Sequence, residues 1–134
     1  MPKQFLDIFG TGETLLRSTY RRFVRFLDPD NVYVSTNAKY IDIVESQLPE
    51  LPRRHILAEP VRLGTAPAVA WASSHIAYKE PDARIVFSPA DQYITLEDEF
   101  EKSIRHALDF VAGHEVVVAT SKWASSRTKR DLHR

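Results

Sequence analysis

Apolar positions along this chain switch between two spacings. Between Glu13 and Leu27 they fall at Leu15, Leu16, Tyr20, Phe23, Val24 and Leu27, one stripe of a helix with basic residues between. Pro29-Asp30-Asn31 interrupts the stripe, and Val32-Tyr33-Val34 reads as a short strand. Helical spacing returns from Ala38 to Leu48 through Tyr40, Ile41, Val44 and Leu48, and Pro49 and Pro52 stop it. His55–Ala58 predicts a second strand. Thr65–Lys79 predicts a third helix, with Pro67 in the first turn where a missing N–H costs nothing. Ile85-Val86-Phe87 is continuously apolar, which predicts a strand buried on both faces. Glu97–Ala112 predicts a fourth helix whose acidic first turn suits the helix dipole, and Val116–Val118 a fourth strand. Trp71 and Tyr78, seven apart on the third helix, read as core.

Strands alternating with helices at this spacing predict an α/β fold, a three-layer Rossmann-like parallel sheet covered by helices. The expected core comprises Val32, Val34, Ile56, Leu57, Ile85, Val86, Phe87, Val116, Val117 and Val118, packed on Leu16, Phe23, Val44, Ile76, Ile104 and Leu108. Parallel α/β folds usually open on a strand that becomes central, whereas this chain opens on a loop leading into a helix. A missing first strand is therefore expected. Its absence would leave a sheet edge open to a second copy, as in a homo-oligomer.

Composition narrows the chemistry. The 134 residues suit one domain, and a 43% hydrophobic, 27% charged content excludes a disordered chain. Without cysteine there are no disulfides, thiolate metal sites or cysteine nucleophiles. The four glycines, Gly10, Gly12, Gly64 and Gly113, spell neither a dinucleotide fingerprint nor a Walker loop. No apolar run approaches the roughly 18 residues of a membrane span, and Met-Pro-Lys-Gln is no signal peptide, so a soluble, cytoplasmic protein is expected. The net charge of zero conceals −4 over residues 1–120 and +4 over residues 121–134. An acidic body argues against a nucleic-acid-binding face.

In open parallel sheets, ligands bind beyond the C-terminal ends of the strands. The loop after the second strand, Glu59 to Pro67, offers Gly64 beside a helix start, suited to close approach by a flat base or an anion; a plain capped turn is the alternative. Asp91 follows the third strand, where it suits either a hard cation such as Mg²⁺ carried by phosphates or a turn cap. Lys3 is the only lysine before Lys39 and suits either a phosphate or open solvent. The five histidines show no metal spacing, and His75 and His106 read as surface or half-buried helix residues.

The runs Pro2-Lys3-Gln4-Phe5-Leu6-Asp7, Gly10-Thr11-Gly12-Glu13-Thr14-Leu15-Leu16 and Tyr33-Val34-Ser35-Thr36-Asn37 resemble the bacterial mannose-1-phosphate guanylyltransferases, the GDP-mannose pyrophosphorylases. Gln47–Leu51, Glu59-Pro60, Thr65-Ala66-Pro67 and Pro89-Ala90-Asp91 continue the resemblance in order, over residues 2–120. It implies a sugar nucleotidyltransferase in which mannose 1-phosphate attacks the α-phosphorus of GTP, pyrophosphate leaves and GDP-mannose forms. By that resemblance Lys3 is the lysine that contacts phosphate and Asp91 the aspartate that holds Mg²⁺. Glu59, Pro60, Gly64, Thr65 and Ala66 belong to the segment that receives guanine.

Three departures qualify what the resemblance implies. Leu63-Gly64 stands where the family usually has Arg-Asn, which loosens the expectation of a guanine-selective site, and Gln92 stands where a histidine usually follows the aspartate. The family's opening strand and Gly-Gly-x-Gly-x-Arg phosphate loop are not found in this sequence, so residues 1–120 are expected to be a partial nucleotidyltransferase domain with little or no turnover alone. After Thr120 the resemblance stops. Read in a shifted frame with permitted codons, Trp123–Arg127 can spell Gly-Ile-Lys-Pro and Lys129–Asp131 Thr-Gly, both similar to the family's continuation. Residues 121–134 are thus expected to be a disordered basic tail or a frameshift product. A non-catalytic α/β module that binds a nucleotide or a partner chain is the second reading, and a nucleic-acid binder acting through the tail the third.

Overall fold

The computed structural model describes residues 1–62 and 64–113. Helix α1 (Leu15–Val24) starts where the Thr14 hydroxyl accepts the Arg17 N–H, and it buries Leu15, Leu16, Thr19, Tyr20 and Arg22. Pro29–Asn31 forms a 3-10 turn capped by Asp28, and Val32 still donates to Pro29 O. The first strand therefore starts late: β1 is Val34–Asn37, not Val32–Val34. Asn37 caps a second 3-10 turn, Ala38–Tyr40, before α2 (Ile41–Gln47). His55 ends a further such turn, so β2 is Ile56–Glu59. Helices α3 (Thr65–Lys79) and α4 (Glu97–Ala112) have the bounds read from the sequence.

β1 and β2 pair in parallel, Val34 opposite Ile56 and Asn37 opposite Glu59, with α2 as the crossover between them. Among the described residues this is a two-stranded sheet. The fold is α/β with a small parallel sheet. The third expected strand does not form: Ile85–Phe87 lies in an irregular segment, with Ile85 and Val86 half-buried and Phe87 44% exposed. Neither the expected burial on both faces nor the strand is found: a strand needs a hydrogen-bonded neighbour, and among the described residues β1 and β2 pair only with each other. The expected strand Val116–Val118 lies outside the described residues.

The main core cluster joins Phe5, Leu16, Tyr20, Val44, Leu48, Leu51 and Ile56, with Val24, Val32, Val34, Tyr40, Ile41, Ile43 and Ala90 packed against it. Helix α4 buries Phe100 and Ile104, and the Phe100 ring meets Phe23 of α1 edge-on at 5.4 Å. Helix α3 contributes little, burying only Ala72; Ile76 is half-buried and Tyr78 fully solvated, so Tyr78 is not core.

Candidate functional site

Lys3 opens a 3-10 turn, Lys3–Phe5, that packs on the start of α1. The lysine is exposed while Phe5, two residues on, is sunk in the core and meets the Tyr40 ring at 5.3 Å. Leu6 N–H donates back to Lys3 O at 3.1 Å, and Leu15 N–H donates to Leu6 O. The turn is thus anchored by its apolar end and carries its charge outward.

β2 ends at Glu59, whose carboxylate accepts the Ser35 hydroxyl of β1 at 3.1 Å. Pro60 is exposed. Gly64 sits at φ 85°, ψ 178°, a conformation essentially confined to glycine, and aims the chain into α3 with no side-chain cap. Thr65 and Ala66 in the first turn are exposed, and Gly64 O accepts the Ala68 N–H. Such an uncapped start presents backbone donors and a partial positive charge.

Asp91 is exposed in the turn that follows Ala90. Among the described residues no three His, Cys, Asp or Glu side chains gather into a metal-holding group. One exposed carboxylate suits an ion that arrives on phosphates and keeps most of its water, rather than a resident metal. Glu59, Pro60, Gly64, Thr65 and Ala66 share one loop. Lys3 and Asp91 lie on separate segments, yet Phe5, β2's Ile56 and Ala90 belong to or pack on the same hydrophobic cluster. All three segments therefore rise from one core.

A separate cleft of about 280 Å³ lies between the loop from Asp7 to Glu13, α1, and the segment from Tyr93 to Glu97. None of the sequence-predicted site residues lines it. Its wall includes the Phe9 and Tyr93 rings, 4.3 Å apart. Arg21 is held by Glu13 at 2.8 Å and by Glu97 at 3.6 Å, while Arg25 takes Glu97 at 2.7 Å and Asp98 at 3.0 Å. Asp98 and Glu97 raise the Arg25 pKa, and Glu13 that of Arg21. With Asp7, Glu13 and Glu97 set against Arg21, the cleft has no surplus positive charge for a phosphate. Asp7 is itself the anion of its loop: Thr11 N–H at 2.9 Å and Gly12 N–H at 2.8 Å donate to its carboxylate and lower its pKa. Sequence reasoning missed this cleft because its walls lie far apart in the chain.

Against known proteins, the sequence model of the nucleotidyl transferase family matches residues 1–128, and the chain belongs to that family. Among curated relatives, it is 32% identical over 120 residues to mannose-1-phosphate guanylyltransferase RfbM of Salmonella typhimurium, covering 87% of this chain and 25% of that protein. It is 36% identical over 112 residues to a mannose-1-phosphate guanylyltransferase of Sinorhizobium fredii, covering 78% and 21%. The alginate biosynthesis protein AlgA of Pseudomonas putida is 37% identical over 110 residues, covering 80% and 21%. The chain spans about a quarter of the length of these relatives. No helix among the described residues is long and apolar enough to cross a membrane.

Proposed function

We propose that this chain carries part of the active site of a mannose-1-phosphate guanylyltransferase, which makes GDP-mannose and pyrophosphate from GTP and mannose 1-phosphate. In this reading residues 1–120 are part of a three-layer nucleotidyltransferase domain, and residues 121–134 are a tail outside it. A phosphate oxygen of the sugar phosphate bonds to the α-phosphorus of GTP as the bond from that phosphorus to the bridging oxygen of pyrophosphate breaks. Negative charge concentrates on the phosphates, so catalysis consists mainly of positioning and charge stabilisation. Lys3 neutralises a phosphate directly. Asp91 supplies the protein carboxylate for the Mg²⁺ that accompanies the nucleotide, an ion that supplies Lewis-acid polarisation of phosphate oxygens. The Glu59-to-Ala66 loop receives the guanine, with Gly64 allowing close approach.

The observation that supports this most is the shared footing of the three segments. Phe5 and Ile56 belong to one hydrophobic cluster and Ala90 packs against it, so the Lys3 turn, the β2 loop and the Asp91 turn are braced against the same body. The names of the relatives support the sugar and the base. The test is Mg²⁺-dependent stabilisation of the chain by GTP, followed as melting temperature. Asp91→Asn should remove the Mg²⁺ dependence, because the amide keeps an oxygen but loses the charge. Lys3→Met should weaken GTP binding by about tenfold with its metal dependence intact, in line with the loss of one charge-assisted contact. Unchanged stabilisation by Mg²⁺ and GTP in Asp91→Asn would reduce Asp91 to a turn cap.

A further inference from the structure

We infer that Gln47 is the positioning residue of the Lys3 turn: it does not touch phosphate but fixes the backbone from which Lys3 reaches it. This rests on the reading of Lys3 as the phosphate-contacting lysine. Gln47 is the last residue of α2 and is half-buried. Its Nε2 donates to Phe5 O at 3.1 Å, which sets the amide orientation, because a carbonyl can only accept. Its Oε1 then accepts the Thr14 hydroxyl at 2.7 Å, and Thr14 Oγ1 accepts the Arg17 N–H at 3.2 Å. Arg17 closes the loop from its other end, donating Nη1 to Gln47 O at 3.2 Å and pairing with Glu50.

The result is one directed chain of donors, from Arg17 N–H through Thr14 and Gln47 to the Phe5 carbonyl. It ties the N-cap of α1, the end of α2 and the Lys3 turn together, and such chains polarise one another. Phe5's side chain fixes where the turn sits. Gln47 fixes how the turn is rotated, since it holds the peptide carbonyl two residues from Lys3. A long, exposed lysine gains phosphate affinity only if its base does not move.

The test uses the full 134-residue chain with Mg²⁺ and GTP as probe. Gln47→Met removes both amide bonds with little change in volume. It should speed hydrogen exchange at the Leu6 amide, which is bonded to Lys3 O, by about tenfold, and leave the α3 and α4 amides as they were. In a double-mutant cycle it should weaken GTP affinity by about fivefold when Lys3 is present and by nothing further in Lys3→Met. Equal loss in both backgrounds would overturn the inference, because a merely structural glutamine acts without Lys3. Unchanged exchange at Leu6 would overturn it as well. Should Gln47→Met not fold, Gln47→Glu keeps the length and the Thr14 bond but turns an oxygen on Phe5 O, and it must reproduce the Leu6 exchange. Wild-type GTP affinity in Lys3→Met alone would instead remove the phosphate reading of Lys3, and the exchange data would still judge Gln47 as the holder of the turn.

Discussion

Arg22 lies on α1 with 2% of its side chain exposed, and its Nε and Nη1 have no hydrogen-bond partner among the described residues. Its nearest carboxylate, Glu97, is 3.9 Å away and already serves Arg21 and Arg25. Burial pushes the Arg22 pKa down. An ion this poorly compensated contributes little net stability. Arg22→Met keeps the packing and drops the charge, so melting should show stability unchanged or raised by about 1 kcal/mol. A clear fall would mean that the contact of Arg22 with the Phe100 ring, 5.5 Å to its centroid, outweighs desolvation. Asp7 gives the opposite case at the surface. Its pKa is lowered from the ordinary 3.8 by the Thr11 and Gly12 N–H groups. Its share of stability is therefore full above pH 3.8 and is lost as pH falls through the lower native value. Asp7→Asn should melt earlier than the parent at neutral pH, and the two melting curves should converge in acid. Parallel curves across that window would show the loop indifferent to its carboxylate.

At the level of elements, α3 and α4 have the extent read from the residues, because Pro67 in the first turn of α3 and the acidic first turn of α4 are local signals written in the sequence itself. Strand edges were less legible. β1 begins two residues late because the Asp28-capped turn holds Val32 N–H, a local bond that hydrophobicity does not reveal. Ile85–Phe87 looked like a central strand because apolar content signals burial but says nothing of a ladder partner. The place of the Glu59-to-Ala66 loop was legible from the glycine and the helix start, whereas the bonds of Gln47 to Phe5 and Thr14 were not, because sequence does not show which distant backbone groups a polar side chain reaches. The placement of these elements decides what a buried charge does. Val44 is fully buried in the core cluster and Val86 is half-buried outside any strand. Val44→Asp should abolish cooperative melting, since an unpaired buried carboxylate costs several kcal/mol, about the stability of a small domain. Val86→Asp should retain a cooperative transition. Loss of that transition in Val86→Asp would restore a buried central strand at that position.

Across the whole molecule, the proposed site is uneven. Lys3, Asp91 and the Gly64 loop supply one cation, one carboxylate and one helix start, but Gly10, Gly12, Gly64 and Gly113 form no loop to wrap a triphosphate. Residues 1–134 by themselves are therefore expected to be stabilised by Mg²⁺ and GTP yet to form no detectable GDP-mannose from GTP and mannose 1-phosphate. Product assay beside the melting experiment checks both halves, and robust turnover would show that fewer phosphate contacts suffice. The main core cluster is uneven along the chain as well. Every buried member of the main cluster lies between Phe5 and Ile56. During synthesis, which proceeds from the N-terminus at about 5–20 residues per second, all buried members of that cluster have been made once Ile56 has cleared the ribosome, and Ala90 packs on them afterwards. The Lys3 turn can thus be seated before α3 or the Asp91 turn exists, and each later segment folds onto a platform already in place.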